Sequence, residues 1–233
     1  MLCIVSDRDH EGKRVNEDQA SAPAAMRRKP QRTRGQQRVS TILDAAEQLF
    51  AEVGYEEATT NQIAAYASTS IGSLYQFFPN KEAILHAVAE RYRTGMIAMY
   101  DTLVTPEVAR LPLNQLIERL IDAMLEFGGA HIGFSRIILQ APANTPLGAA
   151  ASTLQHDLIS RLDALLAARA PWLAAEQRVL HATVGLTAVN ALLSLMIAQK
   201  ASGNIEFAYA LVGQANVLLV AYLQAVTVQP QRP

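Results

Sequence analysis

Residues 59–81 read TTNQIAAYASTSIGSLYQFFPNK, and this stretch decides the fold. Thr59 predicts the start of a short helix, because its hydroxyl can cap the helix and Gln62 completes a capping box three residues later. Ser70 ends a turn-like Ser-Thr-Ser run and predicts a second helix start. Pro79 stops that helix, since proline has no N–H group and disfavours helical geometry in the residue before it. The stretch therefore predicts a helix-turn-helix, or an ordinary corner between two core helices.

The apolar positions of the two helices predict which side of each faces the core. The first helix has a small apolar face made by Ile63, Ala64 and Ala67. In the second helix, four positions at helical spacing are expected to face inward: Ile71, Leu74, Tyr75 and Phe78. The other positions are expected to face outward: Gly72, Ser73, Gln76 and Phe77. A helix with a small polar outer face can enter the major groove of DNA.

The same residues resemble a known DNA-binding signature. The run ATTNQIAAYASTSIGSLYQFFPNKEAIL, residues 58–85, resembles that of the TetR/AcrR (tetracycline-repressor-like) transcriptional regulators nearly position for position. The run STILDAAEQLFAEVGYEEATT, residues 40–60, is similar to the first helix and glycine stop of that family. The close resemblance covers residues 38–90. It implies an all-α fold, with an N-terminal three-helix helix-turn-helix DNA-binding domain and a C-terminal helical domain for ligand binding and dimerisation.

Composition agrees with an all-helical protein of a reducing compartment. The 233 residues are 50% hydrophobic and 6% aromatic, with few β-branched runs. The net charge is −1, so contact with nucleic acid must come from local basic segments. The single Cys3 excludes an internal disulfide and a thiolate metal cluster. Residues 1–25 lack the apolar run of a signal peptide, and together with the single cysteine this predicts a cytoplasmic protein. We also expect no cofactor and no metal.

Residues 1–36 are polar and turn-prone and are expected to be disordered. A basic run without acids, RRKPQRTRGQQR, occupies residues 27–38 and follows a mainly acidic segment. Met26 at the junction leaves two readings open: a translation start at Met26, or a genuine acidic-then-basic tail. The basic run is either a solvated tail or a flexible arm along DNA, and the neighbouring helix-turn-helix favours the arm. Its expected DNA contacts are Arg32, Arg34 and Arg38.

The chain divides into four predicted segments: a disordered segment at 1–36, the DNA-binding domain at 37–82, the ligand-binding and dimerisation domain at 83–228, and a tail at 229–233. The first helix is predicted from Gln37 to Val53, with Gly54 as a left-handed stop. Its apolar stripe is Ile42, Ala46, Leu49, Phe50 and Val53, and its outer face carries Asp44, Glu47 and Glu52. A helix capped by Asn80 is expected to run to Tyr100, followed by helices at 113–128, 132–140, 146–169, 172–200 and 205–228.

The TetR resemblance implies DNA contacts at matching positions. Thr60 and Lys81, at two helix starts, look like phosphate contacts, and the Tyr75 hydroxyl can point at a phosphate. Gln76 suits a bidentate contact with adenine. The other implied contacts are Ser70, Ile71, Gly72 and Ser73. The chain departs from the family at two positions: it has Ser68 where glycine is frequent in the turn, and Phe77 where a histidine or tyrosine usually contacts phosphate.

The TetR resemblance implies that the last two long helices form a four-helix bundle with those of a second copy of the chain. Their uncharged runs, residues 182–199 and 207–231, also suit a membrane span or a monomer core, but scattered polar side chains favour the dimer. The expected interface residues are Leu186, Leu193, Ile197, Leu211, Val217, Leu218 and Tyr222.

The resemblance also implies that a small molecule binds in the C-terminal domain. The candidate ligand contacts, each of which could instead be plain core, are Met124, Phe127, His131, Phe134, His156, Trp172 and Asn190. An acidic stripe of Glu118, Asp122 and Glu126 fits either a cationic ligand or, more simply, a solvated helix face.

The predicted function is a ligand-responsive transcriptional regulator, a repressor released from a palindromic operator. Its expected partners are double-stranded DNA, a second copy of itself and a small-molecule effector, with no membrane. An enzyme is not expected, because the histidines are scattered and no nucleophile elbow, P-loop or cysteine cluster occurs. The alternatives are a helical enzyme and a ligand-independent DNA-architectural protein.

Overall fold

The computed structural model describes residues 33–131, 133 and 145–227, and every regular element within them is an α-helix. The all-α prediction is therefore confirmed. In chain order, the described helices are α1 (Thr33–Val53), α2 (Thr60–Tyr66), α3 (Ile71–Phe77), α4 (Lys81–Leu103), α5 (Pro106–Ala109), α6 (Leu113–Ala130), α7 (Pro146–Arg169), α8 (Ala175–Ala201) and α9 (Ile205–Thr227).

Local sequence signals set the helix-turn-helix as predicted. The Gln62 N–H donates to the Thr59 hydroxyl at 3.2 Å, and the Thr59 N–H donates to Gln62 Oε1 at 2.9 Å, which completes the capping box. The Ser73 N–H donates to the Ser70 hydroxyl at 3.1 Å, so Ser70 caps α3. The turn between the helices places Ser68 at φ +49°, a left-handed conformation that glycine would adopt more easily. The serine there is the departure from the family noted above.

Two positions of α3 face the opposite way from the prediction. Phe77 is buried at 8% exposure, whereas Tyr75 is 40% exposed. The reason is that α3 ends at Phe77, and Phe78 is extended before the proline. The buried row therefore runs from Leu74 to Phe77 at i, i+3, and Phe78 reaches the core from outside the helix.

Three expectations about α1 also need correction. The helix begins at Thr33, so residues 33–36 are helical and not disordered. Val53, the last residue of α1, is 43% exposed. Glu47 faces inward and is only 7% exposed, because it shares a helix face with Leu43 and Phe50 at i−4 and i+3.

The remaining helices assemble behind the helix-turn-helix around a continuous core. Buried apolar residues form one cluster that reaches from α1 to α9, with α4 as the element that both halves share. In the C-terminal half, α8 packs along α7 and α9, α6 along α9, and α4 along α7. Near Gly95 the helices α4 and α6 approach closely, since a Cβ atom there would lie 3.0 Å from the Phe127 ring.

Most of the predicted C-terminal helices occur, with shifted ends. The helix at 146–169 has the expected bounds, whereas α4 continues to Leu103 and α6 to Ala130. Helix α8 starts at Ala175, because a turn occupies the residues before it. Helix α5, which Thr105 caps and Pro106 begins, was not predicted. The helix expected at 132–140 lies almost wholly outside the described residues.

Both α8 and α9 are long and apolar enough to cross a membrane by length and composition alone. Within the most apolar 18-residue stretch of each helix, 22% of α8 and 17% of α9 is buried inside the protomer. Core and interface helices of soluble proteins satisfy the same criterion. Most residues of each of these two apolar stretches are therefore not buried within the protomer.

Candidate DNA-binding surface and ligand cavity

The outer face of α3 is small, polar and open. Gly72 and Gln76 are exposed, and Ser73 and Ile71 are half-buried. A Cβ atom added to Gly72 would meet nothing within 4 Å in the protein. The glycine therefore leaves room on the outside of the fold, where a DNA backbone or base edge could approach the helix closely.

Thr60 at the start of α2 and Tyr75 on α3 are brought together by the turn. The Thr60 Oγ1 atom lies 3.1 Å from the Tyr75 hydroxyl oxygen. Both residues were predicted phosphate contacts, and the hydrogen bond places their hydroxyls side by side on the same surface. Ser70 also lies on this surface, but its hydroxyl is occupied by the cap and by a 3.0 Å hydrogen bond to the Ser73 hydroxyl.

Lys81 has a structural role that was not predicted from the sequence. Its Nζ atom donates to the carbonyl oxygens of Tyr55 at 2.7 Å and Glu56 at 2.9 Å, and lies 4.4 Å from the Tyr55 ring centroid. These contacts tie the start of α4 to the segment after α1. An ammonium group has three N–H donors, so one remains for a phosphate. Burial, with the nearby charges of Glu82 and Glu56, raises the pKa of the Tyr55 hydroxyl.

The basic residues before the core of α1 are partly helical. Arg34 and Arg38 are exposed and lie in the first two turns of α1, so they are held on a helix and not on a flexible arm. Arg32 lies outside the described residues.

A cavity of about 70 Å³ lies in the C-terminal half, between α4, α6, α7, α8 and α9. Its wall is mainly aliphatic, with Ile117, Leu165, Leu186 and Leu219 among the lining residues. Among the described residues its polar lining is limited to Tyr100, Arg169, His181 and Thr227. None of these four was a predicted ligand contact.

Of the predicted ligand contacts, Met124 lines the cavity and the others that are described lie elsewhere. His156 is exposed, Trp172 is 40% exposed, and Asn190 is half-buried beside the cavity residue Val189. Phe127 and His131 contact each other, with ring centroids 4.5 Å apart. Phe134 lies outside the described residues. The prediction looked for mixed polar and aromatic faces, whereas the cavity lies among leucine-rich faces whose residues look like ordinary core.

The acidic stripe of α6 is a solvated face. Glu118, Asp122 and Glu126 are all exposed, on the side of the helix away from the cavity-lining residues Ile117 and Ile121. The simpler of the two interpretations is therefore confirmed.

Comparisons with known proteins agree on both halves of the chain. Residues 42–88 match the family of bacterial regulatory proteins described as the tetR family, and residues 112–223 match the tetracyclin repressor-like C-terminal domain. The chain belongs to the TetR family. Its helix-turn-helix is thus a DNA-binding element of a transcription regulator, and a TetR-family protein is not an enzyme.

One curated relative is an uncharacterized HTH-type transcriptional regulator, YhgD of Bacillus subtilis strain 168, which is 31% identical over 94 residues. The match covers 40% of this chain and 48% of that relative, so it spans about half of the relative's length.

Two solved structures share the TetR fold at low identity. FadR of Bacillus subtilis, in complex with stearoyl-CoA, has a TM-score of 0.63 at 17% identity and covers 78% of this chain and 98% of its own. SmeT is the repressor of a multidrug efflux pump of Stenotrophomonas maltophilia. Its triclosan complex has a TM-score of 0.63 at 22% identity and covers 84% of this chain and 97% of its own.

The TetR-type C-terminal helices expose part of the predicted dimer interface and bury the rest. Val217 is 62% and Leu218 49% exposed, whereas Leu186, Leu193 and Leu211 face the core of their own protomer. Ile197 and Tyr222 are half-buried. The three buried leucines are therefore withdrawn as interface residues. The prediction missed exposed apolar residues on the same helices: Leu180, Val184, Leu195 and Tyr209.

A charged cluster connects this regulator's DNA-binding half to α4 and to the end of α6. Arg91 on α4 donates from its two Nη atoms to Asp44 and Glu47 on α1. His131, which follows α6, places Nδ1 3.6 Å from Glu47 Oε1 and stacks edge-on against Tyr92 at 5.3 Å. Burial and the Glu47 carboxylate raise the pKa of the Tyr92 hydroxyl. We call these residues, Asp44, Glu47, Arg91, Tyr92 and His131, the α1–α4–α6 cluster.

Proposed function

We propose that this TetR-family regulator is a cytoplasmic homodimeric repressor that binds a palindromic operator and is released from it by a small molecule. The observation that carries the proposal is the open outer face of α3. Gly72 and Gln76 are exposed there, and nothing in the protein lies within 4 Å of a Cβ atom at Gly72. An exposed second helix of a helix-turn-helix is the element that reads base edges in the major groove.

Each proposed DNA contact has a role set by its place. Gln76 and Ser73, with Ile71 and Gly72, would meet base edges, because they lie on the outer side of α3. The paired hydroxyls of Thr60 and Tyr75 would share a phosphate, and Lys81 would use its remaining N–H donor on another. Ser70, at the end of the turn, would add a further contact, and the basic residues Arg32, Arg34 and Arg38 would add contacts outside the turn.

The proposed homodimer is supported by the exposed apolar surface of α8 and α9. Val217, Tyr209 and Leu180 are each more than half exposed, on helices without charged residues over most of their length. Monomeric proteins rarely leave a large contiguous apolar patch in water. A second copy packed there with two-fold symmetry would present two α3 helices to DNA, so the operator would be palindromic.

The effector site that we propose is the cavity between α4 and α6–α9. The two structural neighbours bind chemically different molecules, stearoyl-CoA and triclosan, and both are less than 25% identical to this chain. Their ligands therefore do not identify the effector. Support for a ligand of any kind comes from the cavity itself, since interiors are normally packed without voids much larger than a water molecule.

A salt-titrated binding assay tests the proposal directly. The full-length protein is measured on DNA fragments from beside its own gene and on random DNA of the same length. Binding that is at least about a hundredfold tighter to one fragment is the expected result, because specific and non-specific affinities of such proteins differ by several orders of magnitude. Equal, weak binding to all fragments from its genome would contradict a specific regulator.

A further inference from the structure

One polar residue of the cavity lining, Arg169, lies near the start of α6. Arg169 is the last residue of α7 and Thr227 the last of α9, and both line the cavity together with Leu113, the first residue of α6. Met124, also in the lining, lies eleven residues further along α6, roughly 16 Å away by the helical rise. The cavity therefore has Arg169 near the start of α6 and an aliphatic body that extends along that helix.

Arg169 brings a positive charge to this end without a counter-ion. Its Nη1 atom donates to the carbonyl oxygens of Ala109 at 3.0 Å and Leu111 at 2.7 Å. Within the described part of the chain no carboxylate pairs with it, and no Asp or Glu lines the cavity. The remaining guanidinium donors, at Nε and Nη2, make no hydrogen bond to described residues. A partly buried cation without an anion is electrostatically unfavourable, so an anionic group beside it would stabilise the site.

Tyr100 adds a second polar group with no protein partner. The residue is only 2% exposed and lines the cavity from the last turn of α4. No described residue hydrogen-bonds its hydroxyl. A hydroxyl that faces a cavity without a protein partner can donate a hydrogen bond to an oxygen atom of a ligand. Tyr100 and Arg169 thus each bring a donor to the cavity lining, whereas His181 already shares a 2.8 Å contact with the Tyr222 hydroxyl.

We propose that the cavity binds an amphipathic carboxylate, with its aliphatic chain between α6, α7, α8 and α9 and its carboxylate against Arg169 and Tyr100. This inference rests on the proposed function, because it takes the cavity as the effector site. A carboxylate accepts hydrogen bonds only, which suits two donors, and a flexible unbranched chain suits an aliphatic wall.

The test compares three eight-carbon molecules with the same chain and different heads. Binding of octanoate, 1-octanol and octylammonium to the full-length protein is measured by calorimetry. We expect octanoate to bind at least about tenfold more tightly than 1-octanol, and octylammonium to bind most weakly. Equal affinity for octanoate and 1-octanol, or no binding of octanoate, would overturn the inference.

Variants assign the preference to named residues. Tyr100→Phe keeps the ring and should weaken octanoate about three- to tenfold, while 1-octanol is unchanged. Arg169→Gln should abolish the preference for octanoate over 1-octanol, and Arg169→Lys should restore part of it. Arg110→Gln, the same loss of charge at an exposed site outside the cavity, should change nothing. If Arg169→Gln does not fold, because the carbonyl groups of Ala109 and Leu111 lose their donor, the binding of octanoate and 1-octanol to Tyr100→Phe tests the inference.

Operator binding, measured in parallel, separates this inference from the proposed function. Specific operator binding without a preference for octanoate would overturn only the inference that the ligand carries an anionic head group. A preference for octanoate without specific binding to any operator would support the cavity as a carboxylate site and would contradict the proposed function as a repressor.

Discussion

At the scale of single residues, the outer face of α3 is open because Gly72 has no side chain. The residue lies in the first turn of α3, is exposed, and has a helical backbone with no positive φ. Its missing side chain therefore has no use within the fold, because a Cβ atom would fit there without a contact. We therefore propose that close approach to DNA is the reason for a glycine at this position.

Gly72→Ala should separate folding from DNA binding. We expect the free energy of unfolding to stay the same or to rise by about 0.5–1 kcal/mol, since alanine is the better helix former. Operator affinity should fall at least about tenfold, because a methyl group would stand between α3 and the groove.

The matched control is Gly128→Ala, another helical glycine with open space around its Cβ position but far along the chain, on α6. Urea denaturation and operator binding are measured for both variants. Unchanged operator affinity in Gly72→Ala would show that α3 does not approach DNA through this residue.

At the scale of elements, α1 does more than support the motif from behind. Because it begins at Thr33, it holds Arg34 and Arg38 at defined positions beside the helix-turn-helix. Cations on a helix can reach fixed phosphates with less loss of conformational freedom than cations on a flexible arm.

Arg34→Gln with Arg38→Gln should reduce the salt dependence of operator binding. Each phosphate contact contributes about 0.9 to the slope of log affinity against log salt, so losing two should lower the slope by about 1.8. Arg119→Gln, an exposed arginine on α6, is the control and should leave the slope unchanged. Identical slopes for all three proteins would exclude α1 from phosphate contact.

The exposed apolar face of α8 and α9 gives a second prediction at this scale. Val217→Asp places a charge at the centre of that face, where the native side chain is 62% exposed. We expect the protein to become largely monomeric in light scattering after gel filtration, because a buried unpaired carboxylate is costly in an interface. Operator affinity should fall as the dimer is lost.

Val53→Asp makes the same change at an exposed valine of α1, outside α8 and α9, and should leave the mass unchanged. A Val217→Asp protein that remains dimeric would place the interface on another surface.

At the scale of the whole molecule, the cavity and the DNA-facing helix are joined through α4 and α6. Helix α6 lines the cavity along one side, and the residue after it, His131, contacts Glu47 on α1. Arg91 on α4 holds the same carboxylate. A shift of α6 would therefore act on both α1 and α4 through the α1–α4–α6 cluster.

Glu47→Ala should destabilise the fold by about 1–3 kcal/mol, because it removes a buried hydrogen-bonded carboxylate and leaves Arg91 with Asp44 alone. The free energy of unfolding is measured with urea at fixed protein concentration, since a dimer's stability depends on it. Glu118→Ala, on the solvated face of α6, should stay within about 0.5 kcal/mol of the parent. Equal effects of the two variants would show that the cluster contributes little to stability.

The sequence by itself determined the helix-turn-helix, since capping residues, a proline stop and helical spacing act within a few residues of one another. Thr59, Ser70 and Asn80 cap the helices that they were predicted to cap. The TetR resemblance and the all-α class followed from the same short stretch. These signals are local, so they need no knowledge of which helix packs on which.

Only the tertiary structure decided which side of each uniformly apolar helix faces inward. In α8 and α9 almost every face is hydrophobic, so periodicity does not separate buried Leu186 from exposed Leu180. The same holds for Glu47, whose burial depends on Arg91, 44 residues away in the chain. The cavity, too, exists only because five helices meet imperfectly, and its lining combines Tyr100 and Arg169 from two of them. Contacts between distant segments leave no periodic trace in either one, and this is why the fold had to be seen before the ligand site could be placed.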